Sequence, residues 1–308
     1  MDFVIFIIAM SALIYGADFV IKESERIALH FNISHFVIGA TLVSFGTSLP
    51  EMAASITASM AGKSEMAVAN VVGSNIFNIV LILGTVFFIS KAMHPKRDLF
   101  IKDSAWIIVP LALFLIMIND GVIGRFDGFL FILLMSSYLL FLFVDSKDEL
   151  SQEIDEELVK EKFNWSKTAA LLTIGFILTI GGAGFVVESG TNIARMFGVS
   201  EWVIGMFLIA IGTSLPELVV SLVAIKKGNA EMSIGNIIGS NVANFSMVLG
   251  SAALINPLTI DLIATKFDIM ILIASSVTLT FILANKLYNK TGAIFLLIIL
   301  ALLIQNHL

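Results

Sequence analysis

The residues of this chain best equipped for chemistry are two glutamates, Glu51 and Glu217, each closing the same hexapeptide, GTSLPE, at 46–51 and again at 212–217. Proline has no amide hydrogen and pushes the residue before it out of helical dihedrals, so Pro50 and Pro216 must break a helix at each copy. Gly46 adds backbone freedom at the break. Carbonyls from Ser44 onward in the first copy, and from Ala210 onward in the second, then lose their helical partners. Thr47, Ser48, Thr213 and Ser214 place hydroxyls beside those carbonyls, and each glutamate adds a carboxylate about one turn beyond. Carboxylates, hydroxyls and open carbonyls together make a ligand set for a hard cation. A single proline in an apolar helix is ordinarily a packing kink, and a single glutamate a paired structural group. Their joint recurrence is not anticipated by a structural role.

The stretch after each hexapeptide supplies companions: NVVGSNIFN at 70–78 and NIIGSNVAN at 236–244. Ser74 and Asn78 are four residues apart and share a helical face, as do Ser240 and Asn244. Gly73 and Gly239 are expected to let neighbouring backbones approach. Neither Cys nor His is among the candidate ligands, which disfavours soft transition metals. Calcium takes roughly six to eight oxygens in flexible geometry, whereas magnesium wants a strict octahedron. Sodium binds the same ligand types. Two ionised glutamates in low dielectric are expensive to carry through an apolar barrier. One Ca²⁺, two Na⁺ or two protons each offset a charge of −2, so a requirement for neutralisation before movement would couple one ion to another, which is antiport.

The elements that position these groups are membrane spans. The chain has 308 residues, 58% hydrophobic and 14% charged, with 25 Phe and no Cys. Its mean hydropathy is +0.98, and the missing cysteines exclude a disulfide framework and thiolate metal sites. Apolar stretches of spanning length lie near 2–21, 36–60, 66–90, 104–119, 126–144, 167–187, 202–225, 231–255, 267–285 and 291–306, which makes ten spans in an all-α polytopic membrane protein. The first lacks the basic flank of a secretory signal and reads as a transmembrane helix. With the N-terminus outside, fourteen of the eighteen Lys and Arg fall in inner connections, so both termini are expected outside and the chain in the cytoplasmic membrane. The acidic segment 145–166 reads as a solvated cytoplasmic linker.

That linker separates residues 1–144 from 167–308. Residues 36–60 and 202–226 match at 12 of 25 positions, and 70–84 and 236–250 at 7 of 15, all at one offset of 166. This is an internal duplication. An odd number of spans per half inverts the second copy, an arrangement common in secondary transporters, whose substrate sits near the bilayer midplane.

At these residues the sequence resembles the calcium/cation antiporter superfamily, in its prokaryotic sodium/calcium exchanger branch, over the whole chain. GTSLPE twice, each followed by GSN, carries the resemblance. It implies a diamond of four ion positions around Glu51 and Glu217, flanked by Thr47, Ser48, Thr213, Ser214, Ser74 and Ser240 and completed by Asn78 and Asn244. It also implies that spans one and six form a long tilted pair sliding against the ion-binding core, with GGAG at 181–184 suited to sliding contacts. Relatives can carry an aspartate at the position of Asn244, so proton/calcium exchange and potassium-dependent sodium/calcium exchange stand as alternatives to Ca²⁺/Na⁺ antiport. The expected partners are Ca²⁺ and Na⁺, as cargo, and the lipid bilayer, with no cofactor, no nucleic acid and a functional monomer. An intramembrane enzyme using both glutamates as acid and base is disfavoured, because no nucleophile–base pair lies near them.

Overall fold

A computed structural model describes residues 1–90, 93–145, 163–198 and 212–307. Most of the predicted linker, the first part of the predicted span 202–225 and Ala210 lie outside the described residues. In chain order the helices are α1 (Asp2–Phe31), α2 (His35–Ile38), α3 (Ser44–Thr47), α4 (Leu49–Met60), α5 (Ser64–Phe77), α6 (Gly84–Ile89), α7 (Leu99–Met117) and α8 (Arg125–Asp145). They continue as α9 (Trp165–Met196), α10 (Leu215–Lys226), α11 (Ala230–Ala243), α12 (Gly250–Ile255), α13 (Lys266–Ala284) and α14 (Lys290–His307). Wide π turns join some of them, at Gly39–Val43, Asn78–Leu83 and Asn244–Leu249. Two strands, β1 (Val122–Ile123) and β2 (Leu258–Thr259), pair antiparallel.

Among the described residues seven helices are long and apolar enough to cross a bilayer, and His35–Thr47 with Leu49–Met60 counts as one further, broken span. The offset of 166 seen in the sequence recurs in the elements. It relates α4 to α10, α5 to α11, the π turn at Asn78 to that at Asn244, and α6 to α12, residue for residue at both ends.

The chain forms two compact units that each draw on both halves of the sequence: Met1–Thr47 with Val144–Asn236, and Ser48–Phe143 with Ile237–Leu308. In the first, α1 and α9 run antiparallel as a 30-residue and a 32-residue helix. Asn192 bonds to Asp2 and His30 stacks on Phe163 at the opposite end. Glycine allows the close approach between them: a Cβ on Gly182 would lie 2.7 Å from Leu13 N, and one on Gly16 2.6 Å from Thr179 N. Of the GGAG run only Gly182 makes such contact; a Cβ on Gly181 or Gly184 would meet nothing within 4 Å. Val20, Ile21, Ile38, Val43, Val220 and Met232 fill the core of this unit.

α1 continues ten residues past the predicted span because its charged last turns are satisfied inside the fold. Arg26 pairs with buried Glu23 at 3.0 Å, and Asn32 in left-handed geometry caps the end.

In the second unit, Phe245 packs between Phe114 and Phe131, and glycines let α8 meet α12, a Cβ on Gly128 lying 2.8 Å from Gly250 O. Arg97 and Asp103, both side chains fully buried, form a two-point ion pair at 2.7 and 2.9 Å. The bidentate geometry offsets the cost of taking both charges out of water.

Candidate functional site

Glu51 belongs to the second unit, with Ser48, Ser74, Asn78, Ser240 and Asn244. All six are buried, Glu51 to 1% exposure. The helix stops at Ser48, which has φ −85° and ψ 5°, and α4 restarts with Pro50 in its first turn, so Glu51 sits at a helix N-terminus. Asn70 on α5 holds α4 in place by donating to the Glu51 carbonyl at 3.1 Å and to Ser55 Oγ at 2.8 Å. Asn78 and Asn244 each open a π turn, a distortion that often marks functional positions in helices. Asn78 Nδ2 donates to Asn241 Oδ1 at 3.0 Å, and Asn244 Nδ2 to Asn75 Oδ1 at 3.4 Å. Among the described residues, Asn78 Oδ1, Asn244 Oδ1 and Ser240 Oγ are buried oxygens with no hydrogen-bond partner.

Glu217 belongs to the first unit, with Ser44, Thr47, Thr213 and Ser214. It is 1% exposed, Ser44, Thr47 and Ser214 are buried, and Thr213 is half-buried. The break repeats at Ser214, with φ −91° and ψ 8°, and Pro216 lies in the first turn of α10. Asn236 donates to Ser221 Oγ at 3.1 Å and faces the Thr47 hydroxyl at 3.3 Å through its Oδ1. Thr47 Oγ1 also lies 3.3 Å from the Ser44 carbonyl, and Ser44 Oγ donates to the Thr41 carbonyl. The hydroxyls therefore satisfy backbone oxygens around the break.

The structure revises two readings of glycine. Neither Gly46 nor Gly212 is among the glycines with positive φ, so backbone freedom is not what these positions need. They need space: a Cβ on Gly46 would lie 2.0 Å from the Phe176 ring, and one on Gly212 2.6 Å from Val187 Cγ2, both on α9. At Gly73 the expected close approach is absent, since a Cβ there would meet nothing within 4 Å.

Sequence reasoning passed over Asn70, Asn75, Asn236 and Asn241. The signal was available, because all four stand in the repeated NxxGSN motif. Their partners lie on other helices, which face-by-face reading does not reach.

A buried ionised carboxylate is strongly unfavourable without a compensating charge. Two such carboxylates, with hydroxyl and amide oxygens close by in sequence, can hold cations whose charge replaces their lost hydration.

Residues 1–144 and 167–305 match the profile of the family described as sodium/calcium exchanger protein. The putative antiporter CaxA of Alkalimonas amylolytica is 34% identical, with 89% of this chain and 86% of that protein aligned. The sodium/calcium exchanger MaX1 of Methanosarcina acetivorans is 29% identical, with 98% and 97% aligned. Among solved structures, the sodium-calcium exchanger NCX_Mj soaked with Na⁺ and Sr²⁺ superposes with a TM-score of 0.83 at 33% identity, covering 99% of this chain and 97% of that one.

Proposed function

The chain belongs to the sodium/calcium exchanger protein family, which makes it a membrane antiporter of Ca²⁺ and a second cation, and we propose that the second cation is Na⁺, exchanged by alternating access. The observation that carries this reading is the pair of buried glutamates, Glu51 and Glu217, in elements that repeat at one offset. Glu51 with Ser48, Ser74, Asn78, Ser240 and Asn244 forms one set of ligands. Glu217 with Ser44, Thr47, Thr213, Ser214 and Ala210 forms the other. An amide at Asn244 holds the formal charge of the ligands at −2, which favours two Na⁺ per Ca²⁺ as the simplest electroneutral count.

The transport cycle rests on ten spans in two inverted halves. Supporting this, α1 and α9, the first helix of each half, run antiparallel. Among the described residues the eight spans counted above and the shorter apolar helix Lys290–Asn306 are consistent with that number, and the remaining span is the one read from the sequence at 202–225. One chain supplies both acids, so the monomer suffices. The distribution of Lys and Arg supports a location in the cytoplasmic membrane with both termini outside.

The test is Ca²⁺ uptake into sealed vesicles with imposed sodium, proton or potassium gradients. An outward Na⁺ gradient should drive uptake, and Glu51→Gln and Glu217→Gln should each abolish it, because an amide cannot supply the charge that offsets dehydration of a divalent ion. Uptake driven by a proton gradient alone would replace sodium as the coupling ion. Wild-type rates in either variant would remove that glutamate from the site.

A further inference from the structure

The unit that holds Glu51 contains two hydrogen-bonded pairs of buried asparagines, each pair drawing one residue from each half of the chain. Asn78 gives its amide hydrogen to Asn241 Oδ1, and Asn244 gives its own to Asn75 Oδ1. The two bonds are images of one another under the offset of 166, since 78 maps to 244 and 75 to 241. All four side chains are at least nine-tenths buried.

A carboxamide has a donor end and an acceptor end of nearly the same shape. A cation is attracted to the oxygen and repelled by the NH₂, so an asparagine serves as a ligand only if something fixes which end it presents. Here the NH₂ of Asn78 and of Asn244 is occupied by the carbonyl of another asparagine. The Oδ1 of each is left buried and without a hydrogen-bond partner among the described residues.

We propose that Asn75 and Asn241 are positioning residues that hold the Asn244 and Asn78 amides with the oxygen end toward the transported ion. The proposal rests on the reading of Asn78 and Asn244 as ligands. Each half of the chain thereby orients a ligand of the other, so the duplication is exploited in trans. Asn75 Nδ2 is itself buried without a hydrogen-bond partner. By turning its amide over, Asn75 could instead donate to a carboxylate at 244. The same scaffold therefore accommodates Asn or Asp at that position.

The experiment is a double-mutant cycle read by sodium-driven Ca²⁺ uptake in vesicles. Asn75→Leu keeps the branched shape and removes the acceptor. In the native background it should raise half-saturating Ca²⁺ roughly 10-fold or more, in the range of lost outer-shell contacts at metal sites, with little change in the maximal rate. In the Asn244→Asp background the same change should cost less than about 3-fold, because a carboxylate presents an oxygen whichever way it turns. The Asn241→Leu change, with and without Asn78→Asp, is the reciprocal cycle, and either pair that folds decides the matter. A purely structural asparagine would cost the same in both backgrounds, and that result overturns the proposal. So does an unchanged half-saturation in Asn75→Leu alone. Loss of uptake in Glu51→Gln together with equal costs in the cycle removes only the positioning role. Retained uptake in Glu51→Gln removes the underlying site.

Discussion

Across the turn between α4 and α5, Lys63 N bonds to Ala58 O at 2.8 Å beside Gly62 with φ 71°; between α10 and α11, Asn229 N bonds to Ala224 O at 2.8 Å beside Gly228 with φ 81°. The asparagine that ties the second helix to the first is also repeated, as Asn70 to Ser55 Oγ and Asn236 to Ser221 Oγ. The two hairpins thus share their turn geometry and the tie between their helices. They part company elsewhere. Asn70 adds a bond to the Glu51 carbonyl, whereas Asn236 is met by the Thr47 hydroxyl. The turn of the first hairpin is exposed, while that of the second is tied to α1 through Lys227 to Asp18 at 2.7 Å and Asn229 to Glu25 at 2.5 Å. The bonds within each hairpin have been kept, and those to its surroundings and to the Glu51 carbonyl differ.

The sharpest way to break this comparison is to remove the shared tie. Asn70→Leu leaves the Glu51 carbonyl and Ser55 Oγ without their donor, and Asn236→Leu does the same to Ser221 and removes the acceptor facing Thr47. Each should destabilise the protein by about 1–3 kcal/mol, the penalty of stranding buried polar groups. Each should also weaken Ca²⁺ uptake, because a glutamate or threonine loses its anchor. Thermal unfolding in detergent and uptake assays on both variants check this. If only one variant loses transport, the two ties are not functional equivalents.

A smaller effect is expected at the hexapeptide glycines. Gly46→Ala drives a methyl into the Phe176 ring, and Gly212→Ala drives one into Val187. Overpacking of this kind costs about 1–3 kcal/mol, opposed by the better helix propensity of Ala, worth about 1 kcal/mol. A modest net loss of melting temperature should follow, relieved by Phe176→Leu in the first case and Val187→Ala in the second. Relief by the partner change separates packing from backbone freedom, since a conformational need for glycine would not be rescued from α9.

What was legible in the sequence follows from which physics is local. The breaks at Pro50 and Pro216, the positions of the two acids and the offset of 166 need only neighbouring residues or self-comparison. The π turns at Asn78 and Asn244 were not visible, because a period of 3.6 assumes i→i+4 bonding throughout. The roles of Gly46 and Gly73 were misjudged because a glycine needed for conformation and one needed for space look the same in sequence. Hydropathy ended the first span near residue 21, since Lys22, Glu23, Glu25 and Arg26 read as its polar flank. The helix runs on to Phe31, because Glu23 and Arg26 pair with each other and Glu25 with Asn229.

The smallest expected difference lies in the turns. Lys227 and Asp18 are partly exposed, 27% and 45% by side chain, and solvent-exposed ion pairs contribute about 0–1 kcal/mol. Lys227→Ala should therefore lower stability by no more than that, and less at high salt, where screening weakens the attraction. Asn229 is 8% exposed and its amide donates to Glu25, so Asn229→Ala should cost more than Lys227→Ala and show little salt dependence. At the equivalent place in the first hairpin, Lys63→Ala should be neutral within about 0.5 kcal/mol, as for exposed positions without special contacts. Unfolding of the three variants at low and high salt is the measurement. A Lys63→Ala loss as large as that of Asn229→Ala would mean that the first turn is anchored too, and the contrast between the hairpins would reduce to the two asparagine networks.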